Sequence, residues 1–356
     1  MKAPAEGQLS EHEAPSSGDV HDGGRRVGLA VDPVAVGRNT VVPDFFIVGH
    51  QKCGTTALYM MLSAHPQIFM PDVKEPWFFA LELRSRFGAP GSRSRPSTLD
   101  AYLSLFADAA PGQRVGEASP QYIRSETAAR QIAELRPDAR IVAILREPAA
   151  FLRSLHLQLV ATHIESEKDF IKALSLEDAR RRGKRIPRRS VSPQSLLYSD
   201  HVRYVEQLRR LREAFPAEQL LVLIYDDFRR DNEGTVREVL RFLEVDDGVP
   251  VQTVETQPLK AVRSMPLHRL RRAIRKAGLH PAKKGRISRA IDAWSPRGLG
   301  SDDLSALFRR ATYTAQSPAD AEFMLALRRR FKPEVVALSD YLDRDLVKLW
   351  GYDELD

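Results

Sequence analysis

Short apolar runs alternate along the chain with stretches of helical spacing. Phe45-Phe46-Ile47-Val48, closed by Gly49, has the length and continuous hydrophobicity of a buried strand. Thr55 to Ala64 repeats its apolar positions at helical spacing and stops before His65-Pro66. Gln67 to Met70 and Arg114 to Glu117 read as further short strands, with a helix over Leu99 to Ala107 between them. An amphipathic helix is predicted over Glu126 to Leu135. Arg140-Ile141-Val142-Ala143-Ile144-Leu145 is the clearest strand, and a helix follows from Ala149. Val202, Val205, Leu208 and Leu211 share one face and predict a continuous helix over His201 to Phe215. Leu220 to Tyr225 is another apolar strand, and Gly234 to Leu243 another helix. Strands alternating with helices at these intervals indicate βαβ units: an α/β fold, a parallel sheet with helices on both faces.

Residues 1–42 are polar, rich in Gly, Pro and Asp, and carry little periodicity, which predicts a disordered leader. Residues 43–356 are expected to form a single domain. Two basic stretches interrupt it, Arg180 to Arg189 and His268 to Arg289, read as exposed insertions near 166–195 and 264–300.

Composition narrows the chemistry. A single cysteine, Cys53, allows no intramolecular disulfide and no multi-cysteine metal site. No run approaches the ~20 apolar residues of a membrane span, and the N-terminus lacks the apolar core of a secretory signal. A cytoplasmic, reduced setting is expected. The net charge is +7, and 42 of the 54 basic residues are arginine. Arginine binds phosphate and sulfate bidentately, so an anionic ligand is expected. No helix-turn-helix, zinc-finger or aromatic RNA-binding signature accompanies the charge, and no specific nucleic-acid partner is expected.

The most informative stretch is Gly49-His50-Gln51-Lys52-Cys53-Gly54-Thr55-Thr56, between a predicted strand and a predicted helix. Its glycine spacing is that of a nucleotide phosphate loop, but Thr55 stands where a triphosphate-binding loop has lysine, and the lysine is displaced to Lys52. Glycines let the backbone approach an anion at the helix N-terminus, and Thr55 and Thr56 add hydroxyl donors. Cys53, beside Lys52 and that N-terminus, has a setting that lowers a thiol pKa. Beyond the clearest strand, Arg146-Glu147-Pro148 followed by Ser154 can clamp one phosphate between Arg146 and Ser154.

These two motifs, with Lys74-Glu75-Pro76-Trp77-Phe78-Phe79 and Gly116-Glu117-Ala118-Ser119-Pro120-Gln121-Tyr122, resemble those of the sulfotransferases that use 3′-phosphoadenosine 5′-phosphosulfate (PAPS), in the heparan-sulfate-type and bacterial branch with a P-loop-like fold. The segment Phe331 to Trp350 is similar to that branch as well. The resemblance implies that Gln51, Lys52, Gly54, Thr55 and Thr56 bind the 5′-phosphosulfate and that Arg146 and Ser154 bind the 3′-phosphate. It implies Lys52 and Glu75 as catalytic residues, Glu75 as the base, and a metal-independent transfer to a hydroxylated small molecule, lipid or glycan. Trp77, Phe78 and Phe79 form an apolar wall expected to raise the Glu75 pKa; such a cluster either lines an acceptor pocket or, as aromatic clusters usually do, belongs to the core, with His156 and His163 as reserve bases. The competing expectation is a P-loop kinase or NTPase, in which the strand ending at Asp226-Asp227 holds Mg²⁺ together with Thr56.

Overall fold

The computed structural model describes residues 41–83, 96–187, 193–252, 261–262, 313–314 and 321–355, all within the unit Val31–Asp356. The predicted leader up to residue 40, the second basic stretch and the end of the first lie outside the described residues.

The strands β1 (Phe45–Gly49), β2 (Ile68–Phe69), β3 (Arg114–Ala118), β4 (Arg140–Leu145) and β5 (Leu220–Ile224) form one parallel sheet in the order β2-β3-β1-β4-β5. Helices connect them: α1 (Thr55–Ser63), α2 (Leu99–Leu103), α3 (Ala128–Leu135), and between β4 and β5 the run α4 (Pro148–Ala161), α5 (Phe170–Ser175), α6 (Glu177–Arg181), α7 (Tyr198–His201) and α8 (Tyr204–Ala214). After β5 come α9 (Tyr225–Arg230) and α10 (Asn232–Phe242). Ala261–Val262 and Tyr313–Thr314 pair antiparallel, and α11 (Ala321–Tyr341) and α12 (Leu346–Leu349) follow. The expected α/β class is therefore the observed one. Every residue of β1 is buried, as is β4 after its first residue, which is why both read as continuous apolar runs.

The chain leaves β1 towards one edge of the sheet, returns through β3, and crosses β1 to continue at β4. This reversal is a topological switch point, and in such sheets the crevice beyond the carboxyl ends of the strands receives ligands. The tips of β1 and β4 are there. Two register details shape the crevice. The β1–β4 pairing slips between Ile47 and Gly49, as in a bulge, just before the Gly49 loop. Leu145 pairs with Ile224, so Arg146 and Tyr225 leave the sheet side by side.

Three local expectations change. The helix over His201 to Phe215 is interrupted at Val202 and Arg203. The Gln207 amide, from α8, donates to the carbonyls of Asp200 and His201 at 3.1 and 3.3 Å, and so closes the C-terminus of α7. The apolar period ran through the break because both helices turn it to the same core. Tyr225 starts a helix instead of ending a strand. The first basic stretch divides: Arg182 to Arg185 are exposed, but Arg180 is buried in an ion pair with Glu165 at 2.8 Å. Among the described residues no helix is long and apolar enough to cross a membrane.

Candidate functional site

The loop after β1 is built around two glycines. A Cβ on Gly49 would stand 2.5 Å from a methyl of Ile123, so no larger residue fits. Gly54 adopts φ +90, and a Cβ there would meet the Phe228 ring at 2.9 Å. The loop is tied at its root by His50 N–H, which donates to Ile144 of β4 at 2.7 Å. The His50 ring is fully buried, 2.7 Å from the Gln207 amide oxygen. Because the Gln207 NH₂ is committed to the α7 carbonyls, its oxygen accepts from His50 Nε2. Burial holds this imidazole neutral, with its pKa down to about 3. The ring is an internal strut between the loop and α8.

Lys52 sits on the crown of the loop with φ +68, a left-handed conformation uncommon for a residue with a side chain. Such strained positions cluster at active sites and ligand clamps. The side chain is half-buried, and its pKa is lowered, first by burial and then by the Arg146 charge. Arg146 approaches from the tip of β4, its guanidinium 4.6 Å over the Tyr225 ring, and donates to the Lys52 carbonyl at 3.2 Å. Tyr204 OH donates to the Arg146 carbonyl at 2.9 Å. Neither cation has a carboxylate partner among the described residues. Two neighbouring, partly desolvated positive charges favour an anion between them.

Helix α1 starts from Gly54 with no side-chain cap, so its own sequence leaves its first N–H groups free to bind an anion. Thr55 is buried and Thr56 exposed at this end. Gln51 accepts from Gln158 of α4 at 3.5 Å, which links the loop crown to the helix that carries Ser154. Glu147 caps α4, accepting from the N–H groups of Ala149 and Ala150 at 3.1 and 2.6 Å. Ser154 is half-buried on α4 and shares no direct bond with Arg146, so any clamp between them needs a ligand to close it. Cys53 is fully buried, and burial pushes its thiol up to about 12, against the lowering expected from Lys52 and the helix N-terminus. Desolvation outweighs both cations.

Glu75 lies beside the carboxyl end of β3, where its N–H donates to Ala118 at 3.2 Å. Glu75 and Trp77 both adopt positive φ, +60 and +56, and Ser119 Oγ fixes the turn by accepting from Trp77 N–H at 3.1 Å. The Glu75 carboxylate pairs with Lys74 at 2.5 Å and faces the Trp77 indole N–H at 3.4 Å. Of the two readings open for Phe78 and Phe79, pocket wall or core, the structure shows the core. Both are core residues: Phe78 stacks on Tyr102 at 4.5 Å, and Phe79 packs edge-on to Phe46, Tyr102 and Tyr122. His156 is buried between the Tyr198 hydroxyl and the Lys168 carbonyl, at 2.9 and 3.0 Å, and burial lowers its pKa. His163 follows the end of α4 with φ +65.

One acidic residue escaped the sequence reading. Glu117, in β3, is fully buried, and burial raises its carboxyl to about 7; hydrogen bonds from Ser119, Tyr122 and Tyr102 oppose the shift, and the charge of Glu75 adds to it. Tyr102 OH donates to it at 3.2 Å. The signal was an acid inside an apolar strand. Asp226 and Asp227, the expected metal holders of the competing reading, are otherwise engaged. Asp226 accepts from the Trp350 indole at 2.9 Å, and Asp227 pairs with Arg344 and Arg230 at 2.5 and 2.7 Å.

A family model described as "Sulfotransferase domain" matches residues 42–294. A crystal structure of a sulfotransferase from Alicyclobacillus acidocaldarius superposes with a TM-score of 0.53 at 32% identity, covering 61% of this chain and 87% of that one. The human "Bifunctional heparan sulfate N-deacetylase/N-sulfotransferase 3" is 28% identical over 209 residues, 57% of this chain and 22% of that protein. Human "Carbohydrate sulfotransferase 15" is 29% identical over 172 residues, 36% of this chain and 29% of that protein. The chain thus matches less than a third of the length of these two curated relatives.

Proposed function

The chain belongs to the sulfotransferase family, and from that premise we propose that it moves the sulfuryl group of PAPS to a hydroxyl acceptor. The observation that carries the reading is the convergence of Lys52 and Arg146, two partly buried cations without carboxylate partners among the described residues, at the uncapped start of α1. Lys52, Gly54, Thr55, Thr56 and Gln51 take the 5′-phosphosulfate; Arg146 and Ser154 take the 3′-phosphate.

Transfer is an in-line displacement at sulfur. The acceptor oxygen forms a new bond to sulfur while the bond from sulfur to the bridging phosphate oxygen breaks. Charge grows on that leaving oxygen, and Lys52 is the residue assigned to stabilise it; a fixed cation is most effective where charge develops. Glu75 is assigned the acceptor proton. Its contact with Lys74 keeps the carboxylate oriented, and the turn at Ser119 fixes its backbone. No step uses a metal. Glycans lead the acceptor classes, because the two curated relatives named above are a heparan sulfate and a carbohydrate sulfotransferase; small hydroxylated molecules and lipids follow.

The kinase reading is disfavoured by the engagement of Asp226 with Trp350 and of Asp227 with Arg344 and Arg230. Transfer of labelled sulfate from PAPS to a panel of glycans, with and without a chelator, tests the proposal. Chelator-insensitive transfer is expected. Tight Mg²⁺-dependent ATP binding without binding of adenosine 3′,5′-bisphosphate overturns it.

A further inference from the structure

The segment after α12 reaches back to the candidate donor site at two places. The Arg146 guanidinium lies 4.6 Å over the Tyr225 ring, and the next residues along the chain from these two are Glu147 and Asp226. Trp350 donates its indole N–H to Asp226 at 2.9 Å, and the Tyr352 hydroxyl donates to Glu147. One short hook therefore grips the residue next to Arg146 and the residue next to its stacking partner.

The hook is itself rigid. Trp350 is 7% exposed and Tyr352 fully buried. Gly351 between them adopts φ +66, which lets the chain reverse so that both rings point inward. Arg328 of α11 lies 4.7 Å over the Tyr352 ring and donates to the carbonyls of Trp350 and, at 2.9 Å, Gly351. Burial and the Glu147 charge push the Tyr352 phenol upward, so it stays protonated as a donor.

We propose that Trp350 and Tyr352 are positioning residues for Arg146, holding the guanidinium at the geometry needed to bind the 3′-phosphate of the sulfuryl donor. The proposal rests on the donor-site reading above. Glu147 carries the coupling: it caps α4, which bears Ser154, and follows Arg146, so the Tyr352 hydroxyl steadies both arms of the clamp through one carboxylate. Asp226 does the same for the ring platform. The two aspartates that mimic a metal-holding strand end are thus attachment points for the chain's own C-terminal segment.

The test compares binding of adenosine 3′,5′-bisphosphate and adenosine 5′-phosphate to the full chain by calorimetry, with thermal melting as a check on folding. Tyr352→Phe keeps the ring and removes the hydroxyl. It is expected to weaken the bisphosphate about tenfold, the effect of one hydrogen bond to a charged group, while leaving the 5′-phosphate nearly unchanged. Trp350→Phe, which removes the indole N–H, is the second variant and is expected to act in the same direction. Adding Tyr352→Phe to Arg146→Ala is expected to cost little more than Arg146→Ala alone. Equal loss of both ligands in Tyr352→Phe and in Trp350→Phe, or no loss in either, overturns the hook. If Arg146→Ala discriminates between the ligands and neither hook variant does, the donor site stands and the hook alone fails. If Arg146→Ala itself does not discriminate, the donor reading fails and the hook with it.

Discussion

Arg146 donates a hydrogen bond to the main-chain carbonyl of Lys52 at 3.2 Å, across 94 residues of sequence. The two motifs that looked independent along the chain are one cationic site. The contact leaves the remaining guanidinium donors and the Lys52 ammonium for an anion.

Arg146→Ala should therefore weaken adenosine 3′,5′-bisphosphate by tens-fold, since a charge-assisted contact contributes about 1.5–3 kcal/mol. Adenosine 5′-phosphate should lose much less, through the loosened Lys52 carbonyl. Equal losses, measured by calorimetry, would assign Arg146 to folding instead.

Lys52 offers a cleaner substitution than alanine. At φ +68, glycine relieves the backbone while removing the charge. Lys52→Gly should melt no lower than the parent, yet kcat should fall more than the donor KM rises. Full activity in this variant rules out the proposed role of the cation.

Glu75→Gln keeps the shape of the side chain and cannot take a proton. Turnover should fall about 10²-fold with donor affinity nearly unchanged. A small loss of stability with normal turnover would make Glu75 a partner of Lys74 and nothing more.

Glu117 predicts a pH signature. Its carboxyl is raised in the folded chain to about 7 from an ordinary value of 4.5, so folding favours the protonated form. That contribution is complete below pH 4.5 and is lost as the pH rises through 7, a cost on the order of 3 kcal/mol. Glu117→Gln should be flatter between pH 5 and 8 in thermal melts. Identical slopes for parent and variant contradict the assignment.

Much of this was legible in the residues because the strands are buried on both faces and the glycines sit where the backbone turns. Arg140 to Leu145 read as a strand and is one, because no polar residue interrupts it. Lys52 and Arg146 were visible as charges following such runs. What the sequence hid is long-range. For Phe78 and Phe79 the sequence left pocket wall and core both open, since an aromatic pair beside an acid gives no sign of which side the core takes; both are core. The break before α8 depends on a side chain, Gln207, that bonds carbonyls of the helix before it. Glu117 looked like an ordinary motif letter, because burial is invisible until β3 is placed between β1 and β2. The role of Asp226 turned on Trp350, 124 residues later.

The strand order has a consequence for how the chain acquires its activity. Every pairing in the main sheet is parallel, so each joins segments separated by a crossover, and such contacts form slowly. The β1–β4 pairing that brings Lys52 and Arg146 together spans about a quarter of the polypeptide. A nascent or partly folded chain therefore carries both motifs and yet lacks the paired cations on which the proposed donor site depends. On the proposed reading, nucleotide binding becomes a probe of completed long-range topology, and a ligand that spans the two strand tips should stabilise the whole sheet by mass action.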